Sequence, residues 1–339
     1  MIPLGFDKDG IEVANGLLWL DARKPKKLGI ISHAHGDHVG RHETIICTRE
    51  TGAFVRQRSG HQAKYIELPY GEPFRVGDLE VTLHPAGHIL GAAMVHIAGP
   101  DESVLYSGDF RLVPGLTCAG AVPVHADVLI MEATFGTPAH RQPPVAESRA
   151  RLLEFVRENL DAGRVPVLLA YALGKGQEVL KALTDAGIPV AAHGSIWNLL
   201  RPYRDAGIRF PGARRLSRNG NRRCAIVTPP RWAESAPVKS CGETRVAAVT
   251  GWGAMALRPG IDETISLSDH ADYDQLIELV ERVAPKRIHL LHGYATELAA
   301  DLTERGHEAH AVPGHSGPAQ GEIPGMFKPR GAKPKPASE

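Results

Sequence analysis

His33, His35, Asp37 and His38 fall inside six consecutive positions, in the stretch SHAHGDHVG at 32–40. Imidazole nitrogen and carboxylate oxygen both suit a divalent cation such as zinc at roughly 2.0–2.2 Å, and a tetrahedral site needs three or four of them. Alternation sends His33 and His35 to one ion, and Gly36 lets the loop turn so that Asp37 and His38 face a second position. Six residues cannot complete two sites. His88 in AGHILGAA, Asp109 in YSGDF and His292 in LLHGY are the candidate partners, each beside a glycine in a loop or at a strand end. An isolated histidine is otherwise a satisfied surface or core imidazole. That reading is kept for His42, His61, His96, His125, His140, His289, His307, His310 and His315, and His84, four residues before His88, is not expected to support a ligand either.

Such a site needs elements that converge on it. LGIIS (28–32), SVLYSGD (103–109), DVLIME (127–132) and RIHLLHG (287–293) read as buried strands. They stop at the histidine cluster, Asp109, Glu132 and His292. In α/β sheets the carboxyl ends of strands meet at the crevice where ligands bind, so these ends are expected to share one site. Apolar runs alternate with helical patterns throughout, the signature of α/β layering.

Between Glu132 and about Trp252 the pattern changes. VAESRARLLEFVREN (145–159), GKGQEVLKALTDAG (174–187) and GSIWNLLRPYRDAG (194–207) predict helices, the last with Ser195 as N-cap. VPVLLAY (165–171), IPVAAH (188–193), CAIVTPP and TRVAAVTGW predict strands. This is a small α/β unit inserted into an outer domain whose pattern resumes at 266, where Asp274 is expected to cap a helix that Pro285 ends. The expected organisation is an outer domain at 1–140 and 252–315, an insert at 141–251, and a Lys- and Pro-rich tail at 316–339 whose composition predicts disorder.

The 339 residues suggest roughly two domains. A net charge of +1 does not mark a polyanion binder, so any such reading must rest on local charge. The insert has it: Arg201, Arg204, Arg209, Arg214, Arg215, Arg218, Arg222 and Arg223 are opposed only by Asp205. These are either a solvated surface or a wall that tracks phosphates, with Arg214, Arg215 and Arg218 as candidate substrate contacts. Lys175, at a predicted helix start, is a fourth. An aromatic share of 6% offers no extended base-stacking platform, and core packing is expected for at least two of Trp197, Tyr203 and Trp232. The four cysteines are dispersed, the first residues lack the basic and apolar regions of a signal peptide, and no apolar run approaches the ~20 residues of a membrane span. A cytoplasmic protein without membrane association is expected.

HAHGDH, AGH, SGD and HG, in that order, resemble the metal motifs of the metallo-β-lactamase fold. LIMEATFG, SLSDHADY and LLHGYATEL resemble motifs A, B and C of its β-CASP nuclease branch, at Glu132, His270 and His292, and YALGKGQEVL resembles a segment of the β-CASP insert. The likeness runs to about residue 314. It is strongest to the short bacterial ligase-associated DNA exonucleases. It is weaker to the RNA 3′-end-processing endonucleases, which usually carry an acidic residue where this chain has Tyr294.

The resemblance implies an αββα sandwich with an inserted smaller α/β domain and two zinc ions, or manganese in their place. His33, His35, His88 and Asp109 would hold one ion and Asp37, His38, Asp109 and His292 the other, with Asp109 bridging. A metal-activated hydroxide would be the nucleophile and His270 the general acid, with Glu132 holding its other N–H. Asp37 counts among the catalytic residues, and Asp21 in LWLDAR would orient metal ligands through hydrogen bonds. For His270 the plain alternative is a helix-cap neighbour without chemistry. The implied substrate is nucleic acid, DNA rather than RNA, in repair, with functional association to a DNA ligase and a helicase. Three alternatives stand beside it: an RNA 3′-end-processing ribonuclease, a small-molecule ester or thioester hydrolase, and a non-catalytic nucleic-acid-binding subunit. The insert and His270 count against the hydrolase, and the complete ligand set counts against the subunit.

Overall fold

Strands buried at every position, Val128–Glu132, Val165–Leu169 and Ala225–Thr228, anchor the sheets of a computed structural model that describes residues 1–7, 9–217 and 223–314. Continuous apolar runs of this kind belong to strands covered on both faces. Among the described residues there are three sheets. The first runs Leu4–Asp7, Gly10–Val13, Leu18–Leu20, Leu28–Ile30, Thr44–Cys47, Lys64–Glu67. The second runs Ala309–Ala311, Arg287–Leu291, Val128–Glu132, Ser103–Tyr106, Ala93–Ala98, Leu79–Pro85, Pro73–Val76.

These two sheets face each other. Alternation along each strand splits its side chains between two cores. Ile46, Val128 and Ile130 enter the core between the sheets, with Leu18, Leu20, Ile30, Val95 and Val104. Ile45, Cys47, Leu129 and Met131 point the other way, to helix residues Phe54 and Val55 of Arg49–Ser59, Leu276 and Leu279 of Tyr273–Val283, and Leu298 and Leu302 of Ala295–Glu304. The result is the expected four-layer αββα sandwich.

The third sheet is parallel throughout, in the order Arg214–Arg215, Val190–Ala192, Ala225–Thr228, Val165–Leu169, Thr244–Thr250, Glu263–Ser266. Helices Val145–Asp161 and Lys175–Asp185 cover one face, and their core is continuous with that of the outer domain. Glu263–Ser266 lies past the expected insert boundary at 251, yet it pairs with Thr244–Thr250 from Ala247↔Glu263 to Thr250↔Ser266. The inserted sheet therefore borrows its edge strand from the returning segment.

Two local expectations are corrected. Residues 194–207 form two short helices, Gly194–Trp197 and Leu200–Asp205, and the N-cap of the first is His193, whose side chain accepts from Ser195 N. The later helix is Tyr273–Val283, capped by Asp272 accepting from Gln275 N, not by Asp274. Arg218, Arg222, His315 and the tail 316–339 lie outside the described residues. Among the described residues no helix is long and apolar enough to cross a membrane.

Candidate metal centre and cleft

Carboxyl ends of strands from all three sheets edge one cleft of about 560 Å³. Asp21 and His35–His38 come from the first sheet; Asp109, Phe135 and His292 follow strands of the second. From four adjacent strands of the third come Pro229–Arg231, Tyr171–Leu173, Gly251–Trp252 and Ser268–His270. The volume falls within the ~300–1,000 Å³ of small-ligand pockets.

His33 Nε2, His35 Nδ1, His88 Nε2 and Asp109 Oδ2 converge beside this cleft. Adjacent pairs lie 3.2 Å (His33–His35), 3.0 Å (His35–His88), 3.4 Å (His33–Asp109) and 3.8 Å (His88–Asp109) apart. A tetrahedron with bonds of about 2.0–2.2 Å has edges of roughly 3.3–3.6 Å. The four distances straddle that range, so shifts of a few tenths of an ångström would set these atoms around one tetrahedral ion.

The tautomer of each histidine is set from outside the cluster, as metal-binding histidines require. His33 Nδ1 donates to Ser32 Oγ at 3.0 Å, and Ser32 Oγ donates to Asp21 at 2.5 Å. His88 Nδ1 donates to the carbonyl of Asp269 at 2.8 Å, and His35 Nε2 to the carbonyl of Leu173 at 3.2 Å. Burial pushes His33 well below the ordinary imidazole range, and burial and then His270 bring His88 down to about 3. Both rings are neutral, as ligands must be.

The second expected set is looser. Burial presses His38 down, but Asp109 and Asp21 outweigh it and lift the ring to about 10. Its Nε2 lies 3.5 Å from Asp109 Oδ2 and 3.8 Å from Asp37 Oδ2. Three carboxylates, those of Asp21, Asp37 and Asp109, thus gather around this ring. His292 lines the cleft, its ring centroid 6.3 Å from that of His38.

Backbone strain accompanies this aim. His292 has φ 61° and Asp21 φ 44°, conformations that side chains other than glycine rarely adopt and that cluster at functional sites. Gly293 follows His292 at φ 50°, and a Cβ there would lie 2.3 Å from the Ala133 carbonyl. Asp21 repays its strain as a hub. It accepts from Ser32 N at 2.7 Å, His38 Nδ1 at 2.8 Å and Tyr106 OH at 2.8 Å.

His270 stands against His88, ring centroids 4.5 Å apart, and its Nδ1 donates to Glu132 at 2.9 Å and 3.1 Å. Glu132 is 2% exposed and also accepts from Phe110 N at 2.8 Å. Burial lowers His270, but Glu132 overrides it and raises the ring to about 10. His270 is thus a cation at neutral pH, with Nδ1 engaged and Nε2 left as its second proton-bearing nitrogen.

The expected phosphate contacts are placed differently. Lys175 is 4% exposed, and its Nζ pairs with Asp269 Oδ1 at 2.7 Å, because a buried cation needs a partner. Arg214 and Arg215 are exposed on the edge strand of the inserted sheet and do not line the cleft. Among the described residues the arginines that do line it are Arg23, Arg58 and Arg231. Arg58 also donates to the carbonyl of Ala34 inside the histidine loop. Sequence reasoning missed Asp269, Arg58 and Arg231. Only Asp269, adjacent to His270, carried a local signal.

Comparison with known proteins gives two profile matches: the Beta-lactamase superfamily domain over residues 21–189, and the Zn-dependent metallo-hydrolase RNA specificity domain over residues 256–313. A protein of Opitutus terrae named "Probable DNA ligase" is 42% identical over 304 residues, 87% of this chain and 29% of that protein. The "Transcription termination factor FttA" of Pyrococcus abyssi is 29% identical over 211 residues, 50% of this chain and 33% of its own. The "Endoribonuclease YSH1" of Yarrowia lipolytica is 35% identical over 120 residues, 35% and 14% respectively. The chain thus spans a third or less of these relatives. A crystal structure of a protein of unknown function from Enterococcus faecalis V583 shares the fold, with a TM-score of 0.55 at 16% identity over 77% of this chain and 74% of that one.

Proposed function

The chain belongs to the metallo-β-lactamase superfamily, in its β-CASP branch, and from that premise we propose that it is a metal-dependent nuclease hydrolysing phosphodiester bonds, acting as a DNA exonuclease in repair. The observation that carries the reading is the placement of His270. A cationic imidazole fixed by buried Glu132 touches a histidine of the four-atom ligand set. A thioester or lactone hydrolase has no need of a second acid so placed, nor of an insert whose strand ends form half the cleft.

His33, His35, His88 and Asp109 would hold one ion, and Asp37, His38, Asp109 and His292 the second, with Asp109 shared. Two such ions, zinc or manganese, would supply an acidified water and positive charge for the phosphoryl oxygens. The remaining work falls to the chain's own side chains. His270 hands the proton on Nε2 to the leaving oxygen, and Glu132 orients the ring and keeps it charged. Asp21 aims His38, Ser32 aims His33, and the Asp269 carbonyl aims His88. Arg58 and Arg231 bring positive charge to the phosphates along the cleft.

DNA is favoured because the relative named a DNA ligase matches 87% of this chain. That name also supports a functional partnership with a DNA ligase in the cytoplasm, while a helicase partner rests on family resemblance alone. An RNA-processing reading is favoured by the RNA specificity profile and the endoribonuclease relative. End-labelled single- and double-stranded DNA and RNA, offered with zinc or manganese and then with chelator, test the proposal. The expected result is metal-dependent shortening of DNA from one end. Preferential cutting of RNA would move the assignment to the second reading. Turnover of a simple ester with no polymer cut would overturn both.

A further inference from the structure

Trp232 is the only tryptophan among the described residues that stands exposed, at 41%, and it belongs to none of the apolar cores. An indole left in water is costly unless something covers it. Its ring is not loose. It lies nearly parallel to His193, centroids 5.2 Å apart and planes 19° apart. His193 is itself tethered, its Nδ1 accepting from Ser195 N at 3.2 Å and sitting 2.9 Å from Ser195 Oγ. Burial, then Arg231 and Arg215, keep that imidazole below its ordinary range, so it is a neutral, flat backing for the indole.

The platform also has an address. Trp232 ends the short turn Pro230–Trp232, and the three residues before it, Pro229, Pro230 and Arg231, line the same cleft as His35, Asp37, His38 and His270. Two consecutive prolines fix the backbone of that turn, and Trp232 N donates to the Pro229 carbonyl at 2.8 Å. The Arg231 guanidinium lies 5.6 Å from the indole centroid, so a cation of the cleft lining adjoins the ring. Arg215 flanks the other end, where a Cβ on Gly194 would meet its Nη2 at 3.2 Å.

We propose that Trp232, backed by His193, is the stacking surface for one unpaired base of a single strand whose phosphate is met by Arg231 as the strand enters the cleft. The proposal rests on the nuclease reading above and adds to it the strandedness of the substrate. An exposed indole stacks on any base that presents an open π-face, whatever its identity. Within a duplex both faces of every internal base are covered by neighbouring pairs, so only the outer face of the terminal pair is open to the platform, whereas an unpaired strand can offer any base. One rigid aromatic beside one arginine reads a single nucleotide, which accommodates the low aromatic content of the chain.

The test uses the metal-loaded full chain and an end-labelled single strand in which one abasic residue is scanned along the sequence. W232A is expected to raise KM for the intact strand about 10-fold with kcat changed far less, and W232F to stay within about 3-fold of wild type. In the wild type, an abasic residue at one register from the cleaved bond should raise KM by a similar factor. In W232A that register should carry no further penalty. R231A should raise KM for intact and abasic strands alike. Wild-type KM in W232A, or penalties for W232A and the abasic residue that simply multiply, would overturn the stacking proposal while leaving the nuclease reading intact. Failure of the wild-type protein to cut any polymer would overturn the nuclease reading, and this proposal with it.

Discussion

Lys175 and Asp269 form a buried ion pair, Nζ to Oδ1 2.7 Å, that ties the inserted sheet to the loop carrying His270. The same Asp269 accepts from His88 Nδ1 through its carbonyl, so one residue joins the insert, the acid and a metal histidine. The turn before Lys175 is equally tight. Gly174 has φ 88°, and a Cβ there would meet Ile89 at 2.3 Å. Leu173, just before it, supplies the carbonyl that fixes His35. The insert is therefore part of the metal centre's support as well as one wall of its cleft.

Removing one half of a buried pair strands the other charge. Lys175→Met should lower the stability of the metal-loaded protein by about 3–5 kcal/mol in urea unfolding, and adding Asp269→Asn should restore most of it. A K175M variant as stable as wild type would mean that Asp269 finds water or another cation, and the coupling through this pair would be lost with it.

Glu132 sets the alkaline limit of the reaction. His270 is raised from an ordinary imidazole value near 6.5 to about 10. Its proton, and the stability the pair contributes, are therefore fully present below pH 6.5 and lost as pH rises through about 10. Glu132→Gln removes the charge that lifts the ring, so the alkaline limb of kcat against pH should move to lower pH. An alkaline limb that stays in place would separate His270 from the proton transfer.

Asp21 acts at one remove from the metals. Asp21→Asn keeps the shape but weakens the hub that aims His38 and, through Ser32, His33. Loss of such outer hydrogen bonds typically costs 10–100-fold in metal affinity. Competition with a chromophoric chelator should read a weakening in that range, and an unchanged affinity would reduce Asp21 to a turn residue.

The parts of this site that were legible in the sequence are those whose physics is local. A fully buried parallel strand reads as an unbroken apolar run, so the strand ends at Asp109, Glu132 and His292 could be placed before any fold was known. The spacing of His33, His35, Asp37 and His38 carried its own chemistry. What was illegible depended on the far side of a contact. Lys175 looks like a phosphate contact until Asp269, 94 positions away, is seen to neutralise it. The helix expected across 194–207 breaks near Asn198, whose carbonyl cannot be reached by an N–H from Pro202 and accepts from the Gln57 side chain instead. Glu263–Ser266 looked like outer domain because pairing register leaves no mark on a four-residue strand. Arg231 stood outside the arginine-rich stretch, yet it is the strand end at Thr228 that delivers it to the cleft.

The central claim is that the histidine–aspartate cluster holds the metal while His270, beside it, supplies the proton. Metal content and turnover of a labelled DNA strand, measured together on Asp109→Ala and His270→Ala, test it most directly. Asp109→Ala should lose metal and activity together. His270→Ala should keep its metal and lose about 10²–10⁴-fold in kcat, the usual contribution of a positioned acid. Equal metal loss in both variants, or full turnover in His270→Ala, would contradict the account.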